Sequence, residues 1–293
     1  MFICCAVTEG EARVAANVTR LQFVRNVSLT DCPRVYGMYA LSADELLLVC
    51  GAAGLHAVSL RTGLFAAAKS SAIRDVYGVA FDTHTDTVLL VVETPTDDYQ
   101  QLVSLRRNAS EWLEVQRLDT RIHRYIPSIS VCDSRVLLGD LQGMQTLYVF
   151  DVNEAHNLIV SDAGNVSLES VFNGFACTRR GNDTLVAFAH DSSVSLWRLA
   201  ALPLRLEPLA SVNITDPWQL LFRGDLLLVD DWSSATRTND IVSFRVAENA
   251  LSERRVLLNS QEAGFDFGRW ALLGERIVLS AWNDARLLVY DFI

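Results

Sequence analysis

Apolar residues cluster in short Leu-, Val- and Ile-rich runs of four to six, and turn residues separate the runs from one end of the chain to the other. No 3.6-residue period persists over helical length, so the pattern predicts an all-β protein. The runs form a recurring unit. It consists of an aromatic residue, a short apolar strand, a turn at Asp, Asn, Arg or Gly, a second apolar strand, a polar loop and a third strand. The units open at Tyr36, Tyr77, Tyr125, Phe172, Trp218 and Phe267, spaced by 41, 48, 47, 46 and 49 residues. Second strands read Leu46–Val49, Val88–Val92, Val136–Leu138, Leu185–Phe188, Leu226–Val229 and Ile277–Leu279. Third strands include Ala57–Leu60, Leu102–Leu105, Leu147–Val152, Val194–Leu199, Ile241–Val246 and Leu288–Phe292.

Four-stranded propeller blades recur at roughly 40–50 residues, whereas leucine-rich repeats are shorter and helical repeats carry a different hydrophobic period. The ends sharpen this reading. After Phe267 only 26 residues remain, enough for three strands but not four. Before Tyr36 lies an unassigned strand, Arg20–Ser28, which resembles the fourth strand of another unit, Leu206–Ile214, down to the following Thr-Asp. The expectation is a six-bladed β-propeller of four-stranded blades over residues 18–293, preceded by an extension over 1–17. The N-terminal strand would complete the C-terminal blade by pairing with Arg286–Phe292, leaving the ring closed. Leu21, Phe23 and Val27 can share one face, with Gln22 and Asn26 on the other, while Val24 and Arg25 fit that alternation less neatly and leave the register open by one residue. A seven-bladed ring is the alternative count.

The segment Asp191–Leu199, reading Asp-Ser-Ser-Val-Ser-Leu-Trp-Arg-Leu, resembles the turn and third strand of a WD40 repeat. So do Gly54–Gly63 and Asp284–Phe292. The resemblance covers nearly the whole chain as architecture and is weaker as motif. No Gly-His pair precedes any blade, and Trp-Asp is replaced by Trp-Arg, Phe-Asp and Tyr-Asp. It implies an interaction platform, with another protein or a peptide as the partner, although fold does not fix function.

Charge and motif content narrow the alternatives. Thirty-five acidic against 25 basic residues give a net charge of −10, which repels a phosphate backbone, so nucleic acid is not an expected partner. No apolar run approaches the roughly 18 residues of a membrane span, so no membrane partner is expected, and the domain should be monomeric. The chain has no Gly-rich phosphate loop, Gly-x-Ser-x-Gly elbow, His-Glu-x-x-His, Cys-x-x-Cys or Asp-rich calcium loop, and we expect neither catalysis nor a cofactor. The five histidines are scattered, none three or four residues from another His or a Cys. Only Lys69 is lysine among the 25 basic residues, which reads as codon usage rather than chemistry.

Overlaying the units gives the candidate site. Arg34 precedes Tyr36, Asp75 precedes Tyr77, Arg124 precedes Tyr125, Asp216 precedes Trp218, Asp266 precedes Phe267, and Glu169 stands three residues before Phe172. First strands line a propeller axis, so these aromatics and charges should ring one mouth of the channel, a surface suited to a peptide or small polar ligand. The competing role for each aromatic is packing between blades, which repeat-wide recurrence favours. Loops between second and third strands should open on the same face, bringing Asp230, Asp231 and Trp232, together with Trp282 and Asp284. An acidic face of this kind suits a basic peptide. The second functional reading is a lactonase-, hydrolase- or lectin-like channel, with Glu93, Asp140, Asp230, Asp231 and Asp284 as metal ligands or acid–base groups.

Six cysteines and six N-glycosylation sequons pull in opposite directions. Cys50, Cys132 and Cys177 lie inside apolar runs, where a free thiol acts as a small hydrophobe, and this reading predicts a reduced cytoplasmic or nuclear protein. The Met1–Val7 start is also short for a secretory signal. The sequons at Asn17, Asn26, Asn108, Asn165, Asn182 and Asn213 raise the extracellular alternative, since 13 Asn and 39 Ser plus Thr predict fewer than two by chance. Asn26, Asn165 and Asn213 share one repeat position and are not independent.

Overall fold

A computed structural model describes residues 18–293 except 30–31, 51–52, 64, 68–75, 83–86, 94–98, 109–110, 124–127, 133–134, 140–144, 154–157, 202, 234–237, 248–249 and 282–283. The expected extension over 1–17 lies outside the described residues. The chain forms six four-stranded antiparallel sheets. Blade 1 comprises β2 (Gly37–Ser42), β3 (Glu45–Val49), β4 (Leu55–Ser59) and β5 (Phe65–Ala67). Blade 2 comprises β6 (Val76–Asp82), β7 (Thr87–Glu93), β8 (Tyr99–Asn108) and β9 (Glu111–His123). Blade 3 runs through β10 (Ser128–Cys132), β11 (Arg135–Gly139), β12 (Thr146–Asn153) and β13 (Leu158–Ser167). Blade 4 contains β14 (Gly174–Arg180), β15 (Asp183–His190), β16 (Ser193–Ala201) and β17 (Leu204–Asn213). Blade 5 contains β18 (Pro217–Arg223), β19 (Leu226–Ser233), β20 (Thr238–Ala247) and β21 (Ala250–Asn259), after which a single helical turn, α1 (Ser260–Ala263), leads to blade 6. That blade is built from β22 (Phe267–Leu273), β23 (Arg276–Ala281), β24 (Arg286–Phe292) and the N-terminal β1 (Leu21–Ser28).

The closure is as expected from the two ends. Leu21 pairs with Phe292 and Ser28 with Arg286, with a bulge between Phe23 and Arg25. That bulge splits the predicted face, with Leu21 packing in the blade 5–blade 6 seam and Val27 in the blade 6–blade 1 seam. Leu21 and Val27 are buried, but Phe23 is 52 % exposed and packs edge-on against Tyr290. The extra residue at Val24 shifts the alternation by one, so Val27 turns to the side opposite Leu21 and Phe23.

Inner strands β2, β6, β10, β14, β18 and β22 neighbour one another in a closed cycle. The core is divided into six apolar clusters, one in each seam between blades. This explains why the second strands read as unbroken apolar runs. On β3, Leu46 and Leu48 face the blade 6 seam, while Leu47 and Val49 face the blade 2 seam. A strand buried on both faces loses the polar half of the alternation.

The cysteine expectation is overturned. Cys32 is disulfide-bonded to Cys50, with 5.2 Å between the Cα atoms, and Cys132 to Cys177, with 6.0 Å. The second bond joins inner strands β10 and β14 of neighbouring blades. Apolar flanks report only that a cysteine is buried; its partner lies 45 residues away and is brought close by the repeat geometry.

Candidate functional site

The inner strands surround an axial cavity of about 540 Å³, whose wall includes Tyr36, Asn173, Trp218, Gln219 and Arg269. Loops entering the first strands meet the ends of the second strands at one mouth. The Thr215 N–H donates to Asp231 Oδ1 over 3.1 Å, and Asn173 Nδ2 donates to Asp191 Oδ1 over 3.4 Å. In blades 4 and 5 the two loop sets share a face.

In blade 5 the mouth is built on a strand bulge. The β18–β19 register slips between Pro217 and Leu220, leaving the N–H groups of Trp218 and Gln219 without ladder partners. Asp230 Oδ1 accepts both, at 2.8 and 3.4 Å. Its carboxyl is buried, and desolvation pushes its pKa up to about 6 against the opposing pull of those two N–H groups and of Arg269. Burial also lowers the Arg269 pKa, with Asp230 opposing that shift and Arg34 adding to it. Blade 6 solves the same problem with a hydroxyl: its register slips between Phe267 and Trp270, and the Arg269 N–H donates to Ser280 Oγ at 2.7 Å. Asp230 is therefore a brace for a strand bulge.

Asp231 accepts from Arg254 at 2.9 Å, and Asp284 is ion-paired with Arg286, with 2.8 Å between Oδ2 and Nε. The expected Asp230–Asp231 carboxylate pair is thus split into one buried brace and one ion-paired side chain. Among the described residues, no group of three or more His, Cys, Asp or Glu side chains is placed to hold a metal.

The opening aromatics divide into two classes. Phe172 is 1 % exposed, packed on Phe175 and Phe188, and Phe267 is buried against Phe265. Tyr36 is 41 % exposed under the Arg34 guanidinium, whose Cζ lies 5.2 Å from the ring centroid, and Trp218 is 51 % exposed. Asp216 adopts a left-handed φ of 41°, which Asp tolerates, and accepts the Trp218 indole N–H at 3.0 Å. Trp232, one residue beyond Asp231, is 36 % exposed. Glu169 and Asp266 are exposed. Asp75, Arg124, Tyr125, Asp140 and Trp282 lie outside the described residues, as do the side chains of Tyr77 and Glu93.

One set of mouth residues escaped the sequence reading. Trp197 Nε1 donates to Ser195 Oγ at 2.7 Å, which also lies 2.7 Å from His190 Nε2, and His190 Nδ1 lies 2.9 Å from the Val171 carbonyl. The chain is satisfied when Nδ1 carries the proton and Ser195 donates to Nε2. It pins the loop bearing Val171, an apolar residue 47 % exposed at the entry to blade 4. The scattered histidine spacing concealed this arrangement, because it forms across a turn.

No sequence family matches the chain, and no characterised protein matches it by sequence. By shape it is similar to the WD40 β-propeller domain of Doa1, with a TM-score of 0.58 at 12 % identity over 92 % of this chain and 97 % of that one. The β-propeller domain of Cps50 (Swd1) from Myceliophteria thermophila gives 0.59 at 10 % identity, covering 93 % and 100 % of the two chains. A chain of the mitotic checkpoint complex gives 0.62 at 9 % identity, covering 93 % and 96 %. At these identities the likeness concerns fold alone, a β-propeller such as these domains have.

Proposed function

We propose that the chain is a protein-interaction module that takes its partner on the blade 4–blade 5 sector of the channel mouth. Trp218, Trp232 and Val171 are the apolar anchors. The observation that carries this reading is the display of two tryptophans at one mouth, one of them fixed in place. Both the backbone and indole N–H groups of Trp218 are already hydrogen-bonded, so binding would order little of it. Rigid aromatic side chains held in this way are the residues that dominate interface energies. Asp231 and Asp284 already carry arginine partners, so the proposal rests on apolar contact more than on attraction of a basic peptide. For the same reason these acids lend no weight to a metal-dependent channel.

The test is quantitative capture from source-cell extract on the immobilised full chain. Proteins retained by the wild type should fall by roughly tenfold or more with Trp218→Ala/Trp232→Ala, the size expected for anchor loss. Glu275→Ala, in the turn on the opposite face, should retain them. Equal retention by all three chains would sink the reading.

A further inference from the structure

Four cysteines are joined in two pairs with Cα separations of 5.2 and 6.0 Å, inside the roughly 4.4–6.8 Å range in which disulfides form. Such bonds persist in oxidising compartments and are rare in the cytosol and nucleus. A separate feature points to the same place. All five sequon asparagines among the described residues (Asn26, Asn108, Asn165, Asn182 and Asn213) are exposed. Three of them lie on outermost strands: Asn26 on β1, Asn165 on β13 and Asn213 on β17. Strand alternation puts the asparagine and the hydroxyl residue of each triplet on one side and the middle residue on the other. Accordingly Ser28, Ser167 and Thr215 are exposed with their asparagines, while Val27 and Ile214 are buried.

We propose that the protein matures in an oxidising secretory compartment and carries asparagine-linked glycans at Asn26, Asn165 and Asn213. The three share a repeat position, but Asn108 at a strand end and Asn182 in a turn do not, so inheritance of one repeat does not account for the set. The placement also serves the fold. Outermost strands are open sheet edges prone to pairing with other chains. On β1 the acceptor stands near Phe23 and Val24, which are 52 % and 41 % exposed. A bulky polar glycan there blunts the edge and screens both side chains.

In the glycan transfer, the Asn Nδ2 bonds to the anomeric carbon of a lipid-diphosphate-linked oligosaccharide, the bond from that carbon to the diphosphate oxygen breaks, and Nδ2 loses a proton. In each oxidation, two thiols give two electrons and two protons to a protein disulfide, which leaves as a dithiol.

The experiment uses the protein isolated from its own cells, quenched in acid and alkylated before reduction. It is then treated with peptide-N-glycosidase in oxygen-18 water and mapped by mass spectrometry. The proposal expects oxygen-18-labelled aspartate at positions 26, 165 and 213, with Cys32, Cys50, Cys132 and Cys177 protected until reduction. Unmodified asparagine at all three positions overturns it whatever the cysteines show, and so does alkylation of Cys132 and Cys177 before reduction.

Discussion

Phe172 and Trp218 are the aromatics at which successive sequence units open, yet Phe172 precedes β14 by two residues and is core, whereas Trp218 stands inside β18 and faces solvent. The difference lies in their neighbours. Phe172 turns into the seam between blades 3 and 4 because Gly139 leaves a space there. A Cβ at Gly139 would sit 2.6 Å from the Phe172 ring, and Phe175 and Phe188 complete an aromatic wall. Trp218 lies at a strand bulge instead, its backbone held by Asp230, its indole by Asp216, and its carbonyl packed where a Cβ on Gly174 would collide. The strand register together with the adjoining blade decides whether an opening aromatic packs or is displayed.

Three substitutions bear on that contrast. Phe172→Ala should cost about 3–5 kcal/mol of unfolding free energy, read from urea titration, because it empties a packed seam. A loss under about 1 kcal/mol would mean that the two positions do not differ as described.

Asp230→Asn keeps an acceptor for the Trp218 and Gln219 N–H groups and removes the charge. In the folded protein the Asp230 pKa is raised to about 6, above an unfolded value near ~3.9. The folded state therefore holds its proton more tightly, and stability from this group is present below about 4 and lost as pH rises through about 6. Relative to wild type, Asp230→Asn should gain stability as pH increases from about 4 to 7 in urea midpoints taken across that range. A difference independent of pH would show that the carboxyl is not desolvated.

The smallest effect on folding is expected at the displayed aromatic. Trp218→Ala should leave the unfolding free energy from urea titration within about 0.5 kcal/mol of wild type, as exposed substitutions do. A Phe172-sized loss there would reassign Trp218 to the core.

Much of the ring was legible in the chain. Blade count, strand order and the β1–β24 closure follow from period and hydrophobic pattern, because every second strand must be buried on both faces. The mouth was only half legible. Overlaying units correctly gathers Trp218, Asp216, Asp230 and Asp231 on one face, but it cannot tell Phe172 from Trp218, since burial depends on Gly139 in another blade. Nor does it separate Asp230 from Asp231, because alternation along β19 and a register slip of β18 decide which one turns inward. The Trp197–Ser195–His190 chain and both disulfides depend on contacts across turns and between blades, which local patterns do not record.

The central claim is that the blade 4–blade 5 mouth is where another protein binds. It is tested most directly by placing a photo-crosslinking benzophenone side chain at position 218, at 232, or at 275 on the opposite face, in the full chain within its own cells. The account predicts a discrete protein adduct from 218 and 232 and none from 275. Adducts of equal yield at all three positions, or none at 218 and 232, would contradict it.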